Sequence, residues 1–189
     1  MMHTFVFGIG GAGCRMAEYF VQQLPARVLA LNTDQAALNN CLLADKFLLG
    51  PKICQGRPAG VPALGQRAAA ESRAGLMDLI SGAERLVLVT GLGGGTGTGA
   101  TPALATMARE GGVSVQVVAT LPLRLEKRRR EQAQAAVDQL AAADIDLVLH
   151  DHEDMVIRHA GHASLDDYFL KIDQWVVEDF LTRETHHAQ

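Results

Sequence analysis

Along the chain, short runs of apolar and β-branched residues alternate with longer stretches in which apolar positions recur at helical spacing. The runs at 5–7, 27–31, 85–90, 113–120 and 145–149 are nearly continuous in apolar character, the pattern of strands buried on both faces. Between them, 12–24, 63–80, 98–109 and 126–143 are rich in Ala, Leu, Glu, Gln and Arg and predict helices. This alternation predicts successive βαβ units and a parallel sheet with helices on both faces, an α/β, three-layer Rossmann-like fold in one domain over 1–189.

Two stretches depart from that rhythm. The segment 49–62, with three Gly and three Pro, predicts a loop long enough to be functional. The segment 164–182 predicts a helix that is apolar on two sides. At about 100° per residue, Leu165, Tyr168, Phe169, Ile172, Trp175, Val176 and Phe180 share one face, which should pack on the sheet. Leu170, Val177 and Leu181 form a second stripe about a third of a turn away, either exposed or covered by another chain.

Composition narrows the classes of function. The chain has 189 residues, 48% of them hydrophobic, enough to bury a core without disulfides or a structural metal. With 17 Lys+Arg against 21 Asp+Glu, the net charge of −4 argues against a nucleic-acid partner held by broad phosphate neutralisation. The run Lys127, Arg128, Arg129, Arg130 is the one basic concentration. Cys14, Cys41 and Cys54 are odd in number and lack CxxC spacing, which predicts a reducing, cytoplasmic compartment. No apolar run reaches the ~18 residues needed to span a bilayer, so membrane insertion is not expected.

The candidate chemistry lies in glycine. Gly8-Ile9-Gly10-Gly11-Ala12-Gly13 follows a predicted strand and opens a predicted helix, the setting in which GxGxxG wraps a phosphate in backbone N–H groups. Asp34 lies near the spacing at which a dinucleotide enzyme holds the adenosine ribose, so this loop alone leaves an NAD-type oxidoreductase open. A second cluster, Gly91-Leu92-Gly93-Gly94-Gly95-Thr96-Gly97-Thr98-Gly99-Ala100, again falls between strand and helix, and a dinucleotide enzyme has no use for it. With no lysine between Lys52 and Lys127, it is not a Walker loop. The pairs His150/His152 and His159/His162 lack cysteine or matched acidic support for a metal site.

At this point the sequence resembles the tubulin/FtsZ superfamily. Gly93 to Ala100, GGGTGTGA, is similar to that family's signature loop, and Gly8 to Cys14 to its first nucleotide loop. Asn32-Thr33-Asp34, Arg67 to Ser72, and Leu121-Pro122 with Glu126 and Arg130 resemble further family segments in the right order.

The resemblance implies a protein that binds GTP or GDP, with magnesium beside the phosphates. Gly10, Gly11 and Ala12 would hold the α- and β-phosphates. Gly94, Gly95, Thr96 and Gly97 would hold the β- and γ-phosphates, and Gly60 would approach the γ-phosphate. Pro122, Glu126 and Arg130 would meet the ribose, and Asp34, in the Asn32-Thr33-Asp34 segment, would be a further nucleotide-binding residue. Phe169 would stack on guanine, and Asp173 would accept from its N1 and N2 donors. Arg15 departs from the family pattern at a base or ribose contact, where an arginine would still meet phosphate, and His152, after the fifth predicted strand, departs from it at a base contact.

FtsZ-like chains continue past this helix into a loop whose acidic residues position the attacking water in the next subunit. The residues in hand therefore predict little or no GTP hydrolysis by the chain alone. The expected role is a nucleotide-regulated cytoskeletal or assembly component. Its partner would be a second copy or a full-length FtsZ-like protein. A nucleotide-independent interaction protein using the stripe of Leu170, Val177 and Leu181 is the alternative.

Overall fold

The apolar runs become strands covered from both sides. In the computed structural model, which describes residues 3–21, 23–154 and 165–187, six strands form one sheet among those residues. They are β1 (Thr4–Ile9), β2 (Arg27–Asn32), β3 (Asp45–Leu48), β4 (Arg85–Gly91), β5 (Ser114–Leu121) and β6 (Asp146–Asp151). The order is β3-β2-β1-β4-β5-β6, and every pairing is parallel. The described helices are α1 (Gly10–Phe20), α2 (Gln35–Asn40), α3 (Pro62–Glu71), α4 (Arg73–Ile80), α5 (Gly95–Glu110), α6 (Lys127–Ala142) and α7 (Leu165–His187).

β4 shows how the layers arise. Leu86 and Leu88 pack with Ala68 of α3, Leu76 of α4, Leu104 of α5 and Ala133 of α6, whereas Val87 and Val89 pack with Met16 and Phe20 of α1 and with α7. Successive side chains of a strand point to opposite faces, so a strand in mid-sheet must be apolar throughout. Each such side chain contributes about 1.5–3 kcal/mol on burial. A smaller cluster joins Cys14 and Ala17 of α1 to Leu38 of α2.

The structure adds detail to the predicted pattern. β3, an edge strand of four residues, was not foreseen, and the predicted helix over 63–80 is divided at Ser72 into α3 and α4. Ser72 accepts a hydrogen bond on its hydroxyl from Gly50 N at 2.8 Å, and so ties the break to the start of the 49–62 loop.

α7 corrects one expectation. Ile172, Val176 and Phe180 are buried against the sheet and α1, and Phe20 meets Phe180 edge-on at 5.3 Å. Val177, assigned to a free second stripe, is 2% exposed and belongs to the same core. Leu181 is half-buried there, and only Leu170 is exposed. The helix lies in the notch between sheet and α1, so its buried arc is wider than packing on a flat sheet would require. The predicted contribution of Leu165 falls outside the described side chains. No described helix is long and apolar enough to cross a membrane.

Candidate functional site

The strand order reverses between β1 and β4, and a crevice opens where the connections leave these strands on opposite sides of the sheet. α1 begins at Gly10 directly after β1, and α5 begins at Gly95 after the turn that follows β4. Neither start carries a side-chain cap or an acidic residue in its first turn. The first-turn N–H groups of both helices therefore remain as donors, and both positive dipole ends converge. The starts are adjacent: a Cβ on Gly10, whose φ is +73°, would lie 3.1 Å from the Gly97 nitrogen.

The glycines of these loops differ in what makes glycine necessary. A side chain on Gly97 would meet Thr90 Oγ1 at 2.5 Å, and one on Gly99 would meet the Pro62 carbonyl oxygen at 1.9 Å, so these positions let backbones touch. Gly11 and Gly94 have no protein atom within 4 Å of an added Cβ and no positive φ. Both line a cleft of about 390 Å³, within the size range of ligand pockets.

The cleft gathers most of the predicted residues: Gly10, Gly11, Ala12, Arg15, Asp34, Gly94, Gly95, Thr96, Gly97, Pro122, Glu126, His152, Phe169 and Asp173 all line it. Asp34 caps α2, its Oδ1 accepting from Ala36 N at 2.9 Å and Ala37 N at 3.2 Å. Thr33 Oγ1 accepts from Ala59 N at 3.0 Å and meets Thr96 Oγ1 at 2.7 Å, joining the 49–62 loop to the signature loop. Thr98, by contrast, uses its hydroxyl inside that loop, accepting from Gly93 N at 2.7 Å.

Two predicted residues lie elsewhere. Gly60 does not line the cleft; its backbone nitrogen lies 2.7 Å from where a Gly95 Cβ would stand, behind the loop. Arg130 turns away as well, donating to the Asp151 carboxylate at 2.5 and 2.8 Å and to the Pro122 carbonyl at 2.6 Å. That pair holds the Asp151 carboxyl below its usual range. Arg129 lines the cleft in its place and donates to Glu126 Oε2 at 2.5 Å. Asn32, Pro58, Thr120 and Arg129 are lining residues that the sequence pattern did not assign, although Asn32, Pro58 and Arg129 sit inside segments it singled out.

A second group of lining residues forms the aromatic part of the cleft. His152 stands 6.0 Å from Phe169 and 6.4 Å from Tyr168, ring to ring. Burial pushes the His152 imidazole down to about 4, so the ring is neutral at pH 7. Asp173, buried on α7, receives Arg15 Nε on Oδ2 at 3.0 Å. Burial raises its carboxyl to about 6, against the opposing pull of Arg15. His150 packs edge-on to Trp175 at 4.6 Å; His159 and His162 fall outside the described residues. No group of three His, Cys, Asp or Glu among the described residues is placed to hold a metal.

Fold and cleft together define a doubly wound α/β domain with a ligand crevice at its switch point. The family model for the Tubulin/FtsZ family, GTPase domain, matches residues 3–154, and the chain belongs to that family. It is 37% identical over 179 residues to cell division protein FtsZ 1 of Pyrococcus horikoshii, covering 92% of this chain and 47% of that protein. The FtsZ 1 of Pyrococcus abyssi is 36% identical over 180 residues, with coverage of 92% and 48%. An FtsZ structure from M. jannaschii, described as an empty dimer, superposes with a TM-score of 0.88 at 29% identity over 96% of this chain and 54% of that one. CetZ2 from Haloferax volcanii, described as a GTPγS-bound protofilament, gives 0.83 at 26% identity, with coverage of 96% and 57%. The chain thus spans about half the length of the curated relatives it matches.

Proposed function

We propose that this chain binds GTP and GDP in the cleft and serves as a nucleotide-regulated component of a cytoskeletal assembly. One observation carries the reading: two uncapped helix starts converge on a cleft lined by Gly11 and Gly94, where the missing side chains leave room for an anion against the backbone N–H groups. On this reading Gly10, Gly11 and Ala12 donate to the α- and β-phosphates, and Gly95, Thr96 and Gly97 to the β- and γ-phosphates. Glu126 meets the ribose. Arg15 lies five residues along α1 from Gly10, about 7.5 Å of helix rise, a separation suited to phosphates at one end and a base between Phe169 and Asp173 at the other.

Hydrolysis by the chain alone should be slow or absent. The acidic side chains lining the cleft are already engaged, Asp34 as a cap, Glu126 with Leu123 N and Arg129, and Asp173 with Arg15, so none stands as an idle general base. Magnesium would enter with the triphosphate rather than on a protein ligand cluster. Because solved relatives are described as a dimer and a protofilament, the partner is a second copy or a longer member of the family.

The test is calorimetric titration of nucleotide-free protein with GTP, ATP and NADH, magnesium present, repeated with Gly94→Val. Micromolar GTP binding, weak ATP and NADH binding, and loss of binding in a folded variant are expected. Equal affinity for ATP, or an unaffected variant, would overturn the reading.

A further inference from the structure

Asp173 is the one carboxylate in the buried set of the described residues, 2% exposed, and Arg15 is its only hydrogen-bond partner there. A carboxylate withdrawn from water with a single donor is an under-satisfied acceptor, and removing its one cationic partner leaves it both unfixed and costly to keep charged. The donor comes from a different layer element: Arg15 projects from α1, half-exposed, with Cζ 5.9 Å from the centroid of Phe169, so it reaches across the cleft wall to α7. Only Nε is engaged, at 3.0 Å, and it meets only Oδ2, which leaves Oδ1 for other donors. Guanine offers two adjacent donors, N1–H and the 2-amino group. Adenine offers a bare N1 and cannot satisfy a carboxylate in this way.

We propose that Arg15 is the positioning and specificity-determining residue of the base site: by donating from Nε to Oδ2 it fixes the Asp173 carboxylate as a charged acceptor whose other oxygen faces the N1–H and 2-amino donors of guanine. The inference rests on the guanine reading above and goes beyond it, since it makes base selectivity depend on a residue that need not touch the base. Burial already raises the Asp173 carboxyl to about 6, and Arg15 is the largest influence pulling it down. Glu18, the other charged group facing Asp173 from α1, pushes it up; His152 lines the same cleft from beyond β6 and is neutral. Without Arg15 the carboxyl therefore climbs toward neutral pH, and guanine binding is lost at a higher pH than in the unaltered protein.

The experiment measures GTP and ITP affinity from about pH 5 to about pH 8 for the unaltered chain, Arg15→Ala and Arg15→Lys. ITP lacks the 2-amino group, so the GTP/ITP ratio reports the contact with Asp173. Arg15→Ala should weaken GTP binding about tenfold or more at pH 7, shift the acid midpoint of binding upward by about one unit, and reduce the GTP/ITP preference. Arg15→Lys should restore the midpoint and part of the preference, and it carries the test if the alanine variant does not fold. An alanine variant with an unshifted midpoint and an unchanged GTP/ITP ratio, or with tighter GTP binding, would overturn the role of Arg15 while leaving the guanine site standing. A folded, unaltered chain that binds no guanine nucleotide would overturn the guanine reading itself, and this inference with it.

Discussion

At Gly11 and Gly94, which line the cleft, an added Cβ meets open space, whereas at Gly99 it stands 1.9 Å from the Pro62 carbonyl oxygen, which α3 holds in place. These positions should therefore fail in opposite ways. Gly11→Ala, inside α1 with no clash, should stabilise the fold by about 0.5–1 kcal/mol through the lost entropy of glycine while weakening nucleotide binding. Gly99→Ala forces backbone apart and should cost about 1–3 kcal/mol or more without touching the cleft wall. Denaturant melts beside a binding titration separate the two, and a Gly11→Ala protein with undiminished binding would remove the cleft's phosphate assignment. The ionisable residues of the aromatic part add a pH dependence with two signs. His152 is held down at about 4 from an unfolded value of 6.5, so its contribution is complete above 6.5 and is lost as pH falls toward 4. Asp173 is held up at about 6 from 3.8, so it weakens the fold above 6 and that cost is relieved as pH falls toward 3.8. Asp173→Asn, which keeps an acceptor for Arg15, should raise stability at pH 8 by on the order of 2 kcal/mol and steepen the loss of stability below pH 6. A flat difference between the two proteins from pH 8 to 4 would contradict that linkage.

Among the elements, α7 separates what the sequence carries from what only the assembled layers reveal. A helical wheel measures angle, not the shape of the surface it will meet, so Val177 looked free until α1 supplied a second wall for it. Val177→Glu should therefore undock α7 and cost about 3–5 kcal/mol as a buried unpaired charge, while Leu170→Glu should stay within about 0.5 kcal/mol. Matching losses at the two positions would argue that both side chains of this helix are buried alike. β3 was illegible because Asp45 and Lys46 interrupt its apolar pattern, and an edge strand has only one neighbour to demand more. The break at Ser72 was hidden because helix-favouring residues such as Arg73, Ala74, Leu76 and Met77 continue beyond it and the cause is a distant contact, Gly50 N. Both glycine loops were legible because strand, glycine run and helix start are local in sequence. That Arg130 pairs with Asp151 while Arg129 lines the cleft was not legible, since nothing local says which of two adjacent arginines Asp151 will take.

For the whole molecule, the decisive feature is that the cleft lies on the seam between the two helical layers. α1 belongs to the core that also holds α7, and α5 to the core that holds α3, α4 and α6, yet their starts meet at Gly10 and Gly97. A ligand bound across both starts ties the layers together, so its binding free energy should appear as stability of the entire domain rather than of one loop. At about a hundredfold excess over Kd that is about 2.7 kcal/mol, or about 5–10 °C in Tm for a domain of this size. GTP and GDP should both produce it, with ATP giving little, and hydrogen exchange should slow in α1 and α5 together. Protection confined to α5 would mean that the ligand engages the signature loop alone and that the first glycine loop serves the architecture. Protection in both layers would instead make the nucleotide a structural link, through which its loss or hydrolysis could loosen one layer against the other.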